Sequence, residues 1–256
     1  ADHGLLRETY NHVETHIRST DVDRTLVSAQ ALADGLYPLG TGPPDGGEDR
    51  PEFIPVHTVP YKDDHLLDGS GKVHCPLFAQ YASQAYKSKF IAGAIARSRL
   101  IKRGGMAFLS GMNDTAIRQL SAKKLVKLAT HLRDLRVCQR AHGVQVPDAV
   151  AAYDDELEDI TQRVVLAKWD MSRLGSLVGG RLLRTAAHEL KISRRAYLDD
   201  TSVLDLLHEE CNAKGDDSDE SGDCARNLHV YVGHDTTVFD LRSALGMSAV
   251  AKHIAP

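Results

Sequence analysis

The run Ile17-Arg18-Ser19-Thr20-Asp21-Val22-Asp23-Arg24-Thr25 constrains the fold more than any other stretch, because it sets an arginine where a strand feeds a helix. Val13, Thr15 and Ile17 alternate as one face of a half-buried strand would. Val22, Leu26, Ala29 and Leu36 then recur on one helical face. Thr20 is the expected N-cap, with Asp21 and Asp23 in the first turn, where the helix dipole favours negative charge. Arg18 thereby falls at the carboxyl end of a strand beside free backbone N–H groups, the position at which α/β proteins bind anions. The guanidinium fork matches a pair of phosphate oxygens.

A second junction of this kind lies far along the chain. Leu228, Val230 and Val232 alternate in a short strand that ends at Gly233. His234, Asp235, Thr236 and Thr237 follow, and Val238, Leu241 and Leu245 mark a helical face closed by Gly246. If the two strands are parallel neighbours, Arg18 and the His234-Asp235 pair face one crevice. Arginine and imidazole there hold phosphoryl oxygens, and a carboxylic acid gives a proton to a leaving oxygen.

Between the junctions the pattern turns helical over 77–101, 115–142, 149–166 and 171–190, with breaks at Gly104-Gly105, Gly143 and Lys168–Asp170. A further helix is expected over 197–210, a strand over 53–59, and a Gly/Pro-rich surface connection over 39–51. At 256 residues and 42% hydrophobic residues the chain can build a sizeable core. Its net charge of −4 leaves no basic footprint for nucleic acid. No apolar run reaches the ~18 residues of a membrane-spanning helix.

These blocks, in this order, resemble the histidine acid phosphatases, the branch of the histidine phosphatase superfamily that contains the lysosomal and prostatic enzymes. Residues Ile17–Ala29 are similar to a signature block of that family. Ile54-Pro55-Val56-His57-Thr58-Val59-Pro60, Leu66-Leu67 and Cys75-Pro76 continue it, and Gly233-His234-Asp235-Thr236-Thr237-Val238 resembles its second catalytic motif. The resemblance implies an α/β fold, a phosphoglycerate mutase-like sheet with helices on both faces and an inserted α-helical cap. Residues 1–74 and 191–256 would form the α/β lobe and 75–190 the cap. It implies hydrolysis of phosphate monoesters through a phosphohistidine, with no metal or cofactor, on a small-molecule phosphomonoester. Arg18 and His234 would hold the phosphate, and Asp235, with His234, would be catalytic. Asp235 must be protonated when the reaction starts, which fits an acidic working pH.

The family's nucleophilic histidine lies in an Arg-His-Gly-x-Arg-x-Pro motif that this sequence lacks. His3-Gly4 follows Asp2 rather than an arginine, with no Arg-x-Pro after it, and reads as a surface histidine near a frayed terminus. Leu6–Tyr10 reads as the end of a helix. The expectation is a fragment lacking the first strand and the last ones, inactive by itself. Alternatives are a non-catalytic phosphate binder and an inositol-polyphosphate phosphatase, which needs a more basic pocket than any signalled here. The resemblance also implies disulfide-bonded cysteines at Cys75 and Cys138, with partners outside this chain. Cys211 and Cys224 bracket a solvated acidic run, and a bridge closing it would contribute ~3 kcal/mol. With the Asn113-Asp114-Thr115 sequon, these features favour a lysosomal, endosomal or secreted location. A homodimer and membrane attachment of a longer parent both stay open.

The remaining motifs read as structure. His12, Glu14 and His16 would share a strand face as solvated residues, lacking the spacing of a zinc helix. Gly69-Ser70-Gly71-Lys72 lacks the rest of a P-loop and reads as a turn. Gly179-Gly180 reads as a close-packing point and Trp169 as an anchor of the helical segment. His57 reads as a packing residue near the sheet, and Asp21 as a candidate to orient Arg18.

Overall fold

A computed structural model describes residues 6–39, 52–68, 75–170, 175–198 and 226–247. The chain is mixed α/β. Strand β1 (Thr15–Ser19) lies between β2 (Val56–His57) and β3 (Leu228–Val232), and both pairings are parallel. Arg18 is in register with His57 on one side and Tyr231 on the other. Helix α1 (Asp23–Leu36) follows β1 directly. The expected loop 39–51, apart from Leu39, the Gly69–Lys72 turn, nearly all of the 197–210 helix and the Cys211–Cys224 pair lie outside the described residues.

Contacts within the chain divide it into two units, Ala1–Gly69 with Gly179–Val238 and Ser70–Val178 with Phe239–Pro256. In the first, one sheet face is apolar. Ile17, Val56, Val230 and Val232 pack with Ala29, Ala33 and Tyr37. The strand alternation puts His16, Arg18, His57, His229 and Tyr231 on the opposite face. That face is only partly solvated: His57 is exposed, whereas His16 is buried and the Glu189 carboxylate lies 3.2 Å from His229 Nε2. Glu189 belongs to the long helix Gly175–Leu198.

The second unit is helical. It contains α2 (Pro76–Tyr86), α3 (Lys89–Arg97), α4 (Arg99–Lys102), α5 (Gly105–Ser110), α6 (Asp114–Arg118), α7 (Ala122–Ala141), α8 (Asp148–Ala151) and α9 (Asp154–Val165). A π-helical turn, Leu166–Asp170, continues α9, where the sequence suggests a break. The helix Gly175–Leu198, α10, is shared between the units. Ile91, Leu100, Met106, Val126, Leu157 and Ile160 form the main core, and Phe78, Val165, Trp169 and Val178 a second one. Five of the helix starts carry side-chain caps, from Cys75, Ser88, Ser98, Asn113 and Ser121. Gly104, Gly111 and Gly143 take positive φ between helices, which explains the breaks at Gly104 and Gly143. Asn113 of the sequon is exposed, and Cys75 and Cys138 are free thiols.

Several local expectations are corrected. Thr20 is not the N-cap of α1; Val22 holds that position and makes no side-chain cap. The buried stripe of α1 is Thr25, Ala29 and Ala33, while Leu36 is exposed. Small side chains let the helix approach the sheet closely, and this overrides the larger apolar residues. The 53–59 strand shrinks to two residues, with Phe53 largely exposed. Residues 6–14 form bends and a turn rather than a helix end. His12 lies in that turn, and Glu14 and His16 are buried, not solvated. A Cβ at Gly180 would meet no atom within 4 Å, so close packing does not account for that glycine.

Candidate functional site

The site is built from the carboxyl ends of β1 and β3. Parallel pairing sets Ser19 opposite Val232, and the Thr20 N–H donates to the Val232 carbonyl at 3.1 Å, so both chains leave the sheet together. Gly233 follows β3, and then His234 precedes α11 (Asp235–Ala244). Arg18 and His234 therefore stand at the same end of the sheet on adjacent strands.

Arg18 is held from below. Its Nη2 donates to Asp64 Oδ1 at 2.8 Å, and the Asp64 side chain is fully buried. The same Oδ1 accepts the backbone N–H groups of Leu66 at 3.1 Å and Leu67 at 3.0 Å. The carboxylate is thus fixed by its own turn before the guanidinium reaches it. Asp21, the expected orienter of Arg18, is exposed; Asp64 has the role instead. Two adjacent aspartates, Asp63 and Asp64, follow the turn at Pro60-Tyr61, and nothing local in the sequence says which one turns inward. The Leu66-Leu67 pair was the only hint that this segment is anchored.

His234 is held from both ring edges. Arg24 Nη2 lies 3.2 Å from Nδ1 and Thr20 Oγ1 lies 3.3 Å from Nε2. Arginine only donates, so Nδ1 accepts and the ring proton sits on Nε2, directed at Thr20. The Thr20 hydroxyl passes to Thr25 Oγ1 at 2.8 Å, and Thr25 donates to the Val22 carbonyl at 2.8 Å. The hydroxyl expected to cap α1 is thus turned towards the site. The main chain at His234 is fixed as well: its N–H donates to Thr237 Oγ1 at 3.1 Å, and Thr237 donates to the Leu67 carbonyl at 2.6 Å. A Cβ at Gly233 would stand 2.7 Å from Thr237 Oγ1, so a larger residue there requires Thr237 to shift. The parts played by Arg24, Thr25, Asp64 and Thr237 escaped the sequence reading, because a single charged or hydroxyl residue in a helix's first turn or a loop carries no periodic signal.

Asp235 opens α11 and is exposed, with Oδ1 accepting the Thr236 N–H at 2.8 Å. Its carboxyl group stands next to His234, at a helix N-terminus, within reach of solvent. The apolar face expected for α11 is not the buried one: Val238 and Leu245 are exposed, whereas Thr237 and Asp240 are buried.

Behind Arg18 the polar sheet face carries stacked rings. His16 and His57 lie 4.6 Å apart, His16 and His229 6.1 Å, and His229 and Tyr231 6.4 Å. Burial, then the nearby Arg226 charge, lowers the His16 pKa from 6.5 to about 3 and that of His229 to about 4. His57 is lowered for the same reasons, and burial raises Tyr231. The neutral His16 and His229 rings add no positive charge beside Arg18 and Arg226. Among the described residues no cluster of three or more His, Cys, Asp or Glu side chains is arranged to hold a metal ion.

Arg18 and His234 are thus each fixed by side-chain partners at the carboxyl ends of β1 and β3, with the exposed Asp235 next in the chain. Residues 2–124 match the family model described as histidine phosphatase superfamily (branch 2). The chain is 28% identical over 260 residues to the lysosomal acid phosphatase of Bos taurus, covering 96% of this chain and 50% of that protein. It is 27% identical over 243 residues to the testicular acid phosphatase of Mus musculus, covering 95% of this chain and 49% of the other. Against the testicular acid phosphatase of Homo sapiens it is 35% identical over 143 residues, 56% of this chain and 31% of that one. The chain thus spans about half the length of the first two of these curated relatives.

Proposed function

We propose that the chain, matched over residues 2–124 by the histidine phosphatase superfamily (branch 2) and similar to lysosomal and testicular acid phosphatases, is a member of the histidine acid phosphatase family, and that the ends of β1 and β3 form the phosphate-holding part of its site. The reaction is hydrolysis of phosphate monoesters through a phosphohistidine, without metal. Arg18 and His234 hold the phosphoryl oxygens as charge spreads over them. Asp235 gives its proton to the departing alcohol, a role that suits an exposed carboxyl group beside His234. The observation that carries this reading is the parallel pairing of β1 with β3, with the Thr20 hydroxyl 3.3 Å from the His234 ring.

These 256 residues contain no Arg-His-Gly-x-Arg-x-Pro motif, so in this reading they bind a phosphoryl group and do not hydrolyse its ester by themselves. That same absence favours a second reading, a phosphate binder that performs no chemistry. Turnover of an aryl phosphate by the full gene product separates the two. The reading extends to a helical cap over residues 75–190 on a lobe formed by 1–74 and 191–256. It also extends to a lysosomal, endosomal or secreted location, supported by the names of the relatives and by the exposed Asn113 of the sequon.

The test is calorimetric titration of the 256-residue chain with inorganic phosphate at pH 5. Saturable binding is expected, abolished in Arg18→Ala and weakened in His234→Ala. Absence of binding, or binding indifferent to both substitutions, overturns the proposal.

A further inference from the structure

Arg18 and His234 sit on different strands, yet one hydrogen-bonded path joins them through a third segment. Arg18 Nη2 donates to Asp64 Oδ1 at 2.8 Å, and that oxygen also takes the Leu67 N–H at 3.0 Å. The carbonyl of Leu67 accepts from Thr237 Oγ1 at 2.6 Å, which in turn accepts the His234 N–H at 3.1 Å. Asp64 is fully buried, Leu67 is 1% exposed and Thr237 8% exposed, so water does not compete along the path.

We propose that Asp64 and Thr237 are positioning residues that lock Arg18 and His234 into one anion-binding geometry through the Tyr61–Asp68 turn. The inference rests on the phosphate-binding reading above and names two residues that no part of that reading uses. An arginine has a long, rotamer-rich side chain, and a binding fork works only when its plane is set before the anion arrives. Asp64 sets it, and it can do so because two backbone N–H groups fix the carboxylate first. Thr237 carries the same restraint across to the backbone of His234. Moving either end therefore moves the other.

Asp64 has a second effect of opposite sign, which makes the inference testable. Its negative charge offsets that of Arg18 and lowers the site's attraction for phosphate. If charge offset dominates, Asp64→Asn tightens phosphate binding. If positioning dominates, the same substitution weakens it, because a neutral amide holds a guanidinium less firmly than a carboxylate does. Asn keeps an oxygen for the Leu66 and Leu67 amides, so the turn survives the change.

The experiment is titration of the full 256-residue chain with inorganic phosphate, with Asp64→Asn, Thr237→Val and the double variant compared at equal fold stability. Asp64→Asn is expected to weaken binding about tenfold, within the range typical of residues that orient a ligand-holding group. Thr237→Val is expected to weaken it several-fold. The double variant is expected to lose markedly less than the product of the single effects, since both break one path. The Arg18 Nη protons should exchange faster in Asp64→Asn than in the unaltered chain, since that contact is made at Nη2. Unchanged or tighter binding in Asp64→Asn overturns the inference while the phosphate-binding reading stands. Multiplicative effects of the two substitutions overturn the coupling. No phosphate binding by the unaltered chain overturns the earlier reading, and this inference with it.

Discussion

The imidazole rings of His16 and His57 stack at 4.6 Å across the parallel ladder of β1 and β2, in which Arg18 is in register with His57. His57 is exposed, but the His16 ring is buried and takes up a proton only at a cost. Burial and the surrounding positive charge place His16 at about 3 and, on the other side, His229 at about 4.

Acid should therefore loosen this sheet. In the unfolded chain both histidines take up protons below about pH 6.5, whereas in the folded chain they do so only near pH 3 to 4. The stability they contribute is complete above the unfolded value and is lost as the pH falls from 6.5 towards 3. Each costs on the order of 2 kcal/mol at pH 5. Thermal denaturation between pH 4.5 and 7.5 should show this slope, flattened in His16→Phe and in His229→Phe. Identical slopes in wild type and both variants would count against it.

Asp235 should matter most when the leaving alcohol is poor. In a form of the protein that carries the nucleophile motif, Asp235→Asn is predicted to lower kcat about 10²–10⁴-fold on alkyl phosphates and far less on nitrophenyl phosphate. Equal losses on both substrates would remove its role as the proton donor.

Trp169 is the single tryptophan of the chain, and its indole N–H donates to Asp240 Oδ1 at 2.6 Å. Both side chains are buried, so Asp240→Ala leaves a donor without an acceptor and should cost about 1–3 kcal/mol. Tryptophan fluorescence reads this site alone. Asp240→Ala should show an altered emission maximum and a lower denaturation midpoint; an unchanged spectrum and midpoint would refute it.

Gly105 opens α5 with no room for a side chain. A Cβ there would stand 2.6 Å from Tyr153 Cε1 and 3.1 Å from the Leu100 Cα. The Tyr153 ring and a backbone atom must both yield, so Gly105→Ala should destabilise by about 1–3 kcal/mol. Adding Tyr153→Ala should give no further additive loss, because the clash is then relieved. A fully additive double variant would show that the ring is not the obstacle.

Much of the site was legible because its two ends obey local rules. Leu228–Val232 alternates, Gly233 stops it, and a helix follows; the structure has that strand and a helix beginning at Asp235. Gly246, with φ of +70°, ends α11 as the sequence suggests. Periodicity failed where burial came from both sides. His16 and Glu14 read as solvated because polar residues at alternate positions imply water, but both are buried, with Glu14 held by Arg7 and the neighbouring His229 by Glu189.

The amino-acid order by itself determined the elements that carry Arg18, His234 and Asp235, because strand alternation, glycine stops and first-turn acids act over a few residues. Only the tertiary structure decided what those residues touch. The pairing of β1 with β3 joins positions more than two hundred residues apart, and the choice of Asp64 over Asp21 as the arginine's partner depends on which carboxylate is buried beside it. Neither a parallel ladder nor a buried ion pair leaves a trace in local sequence, since both depend on what distant segments place next to one another.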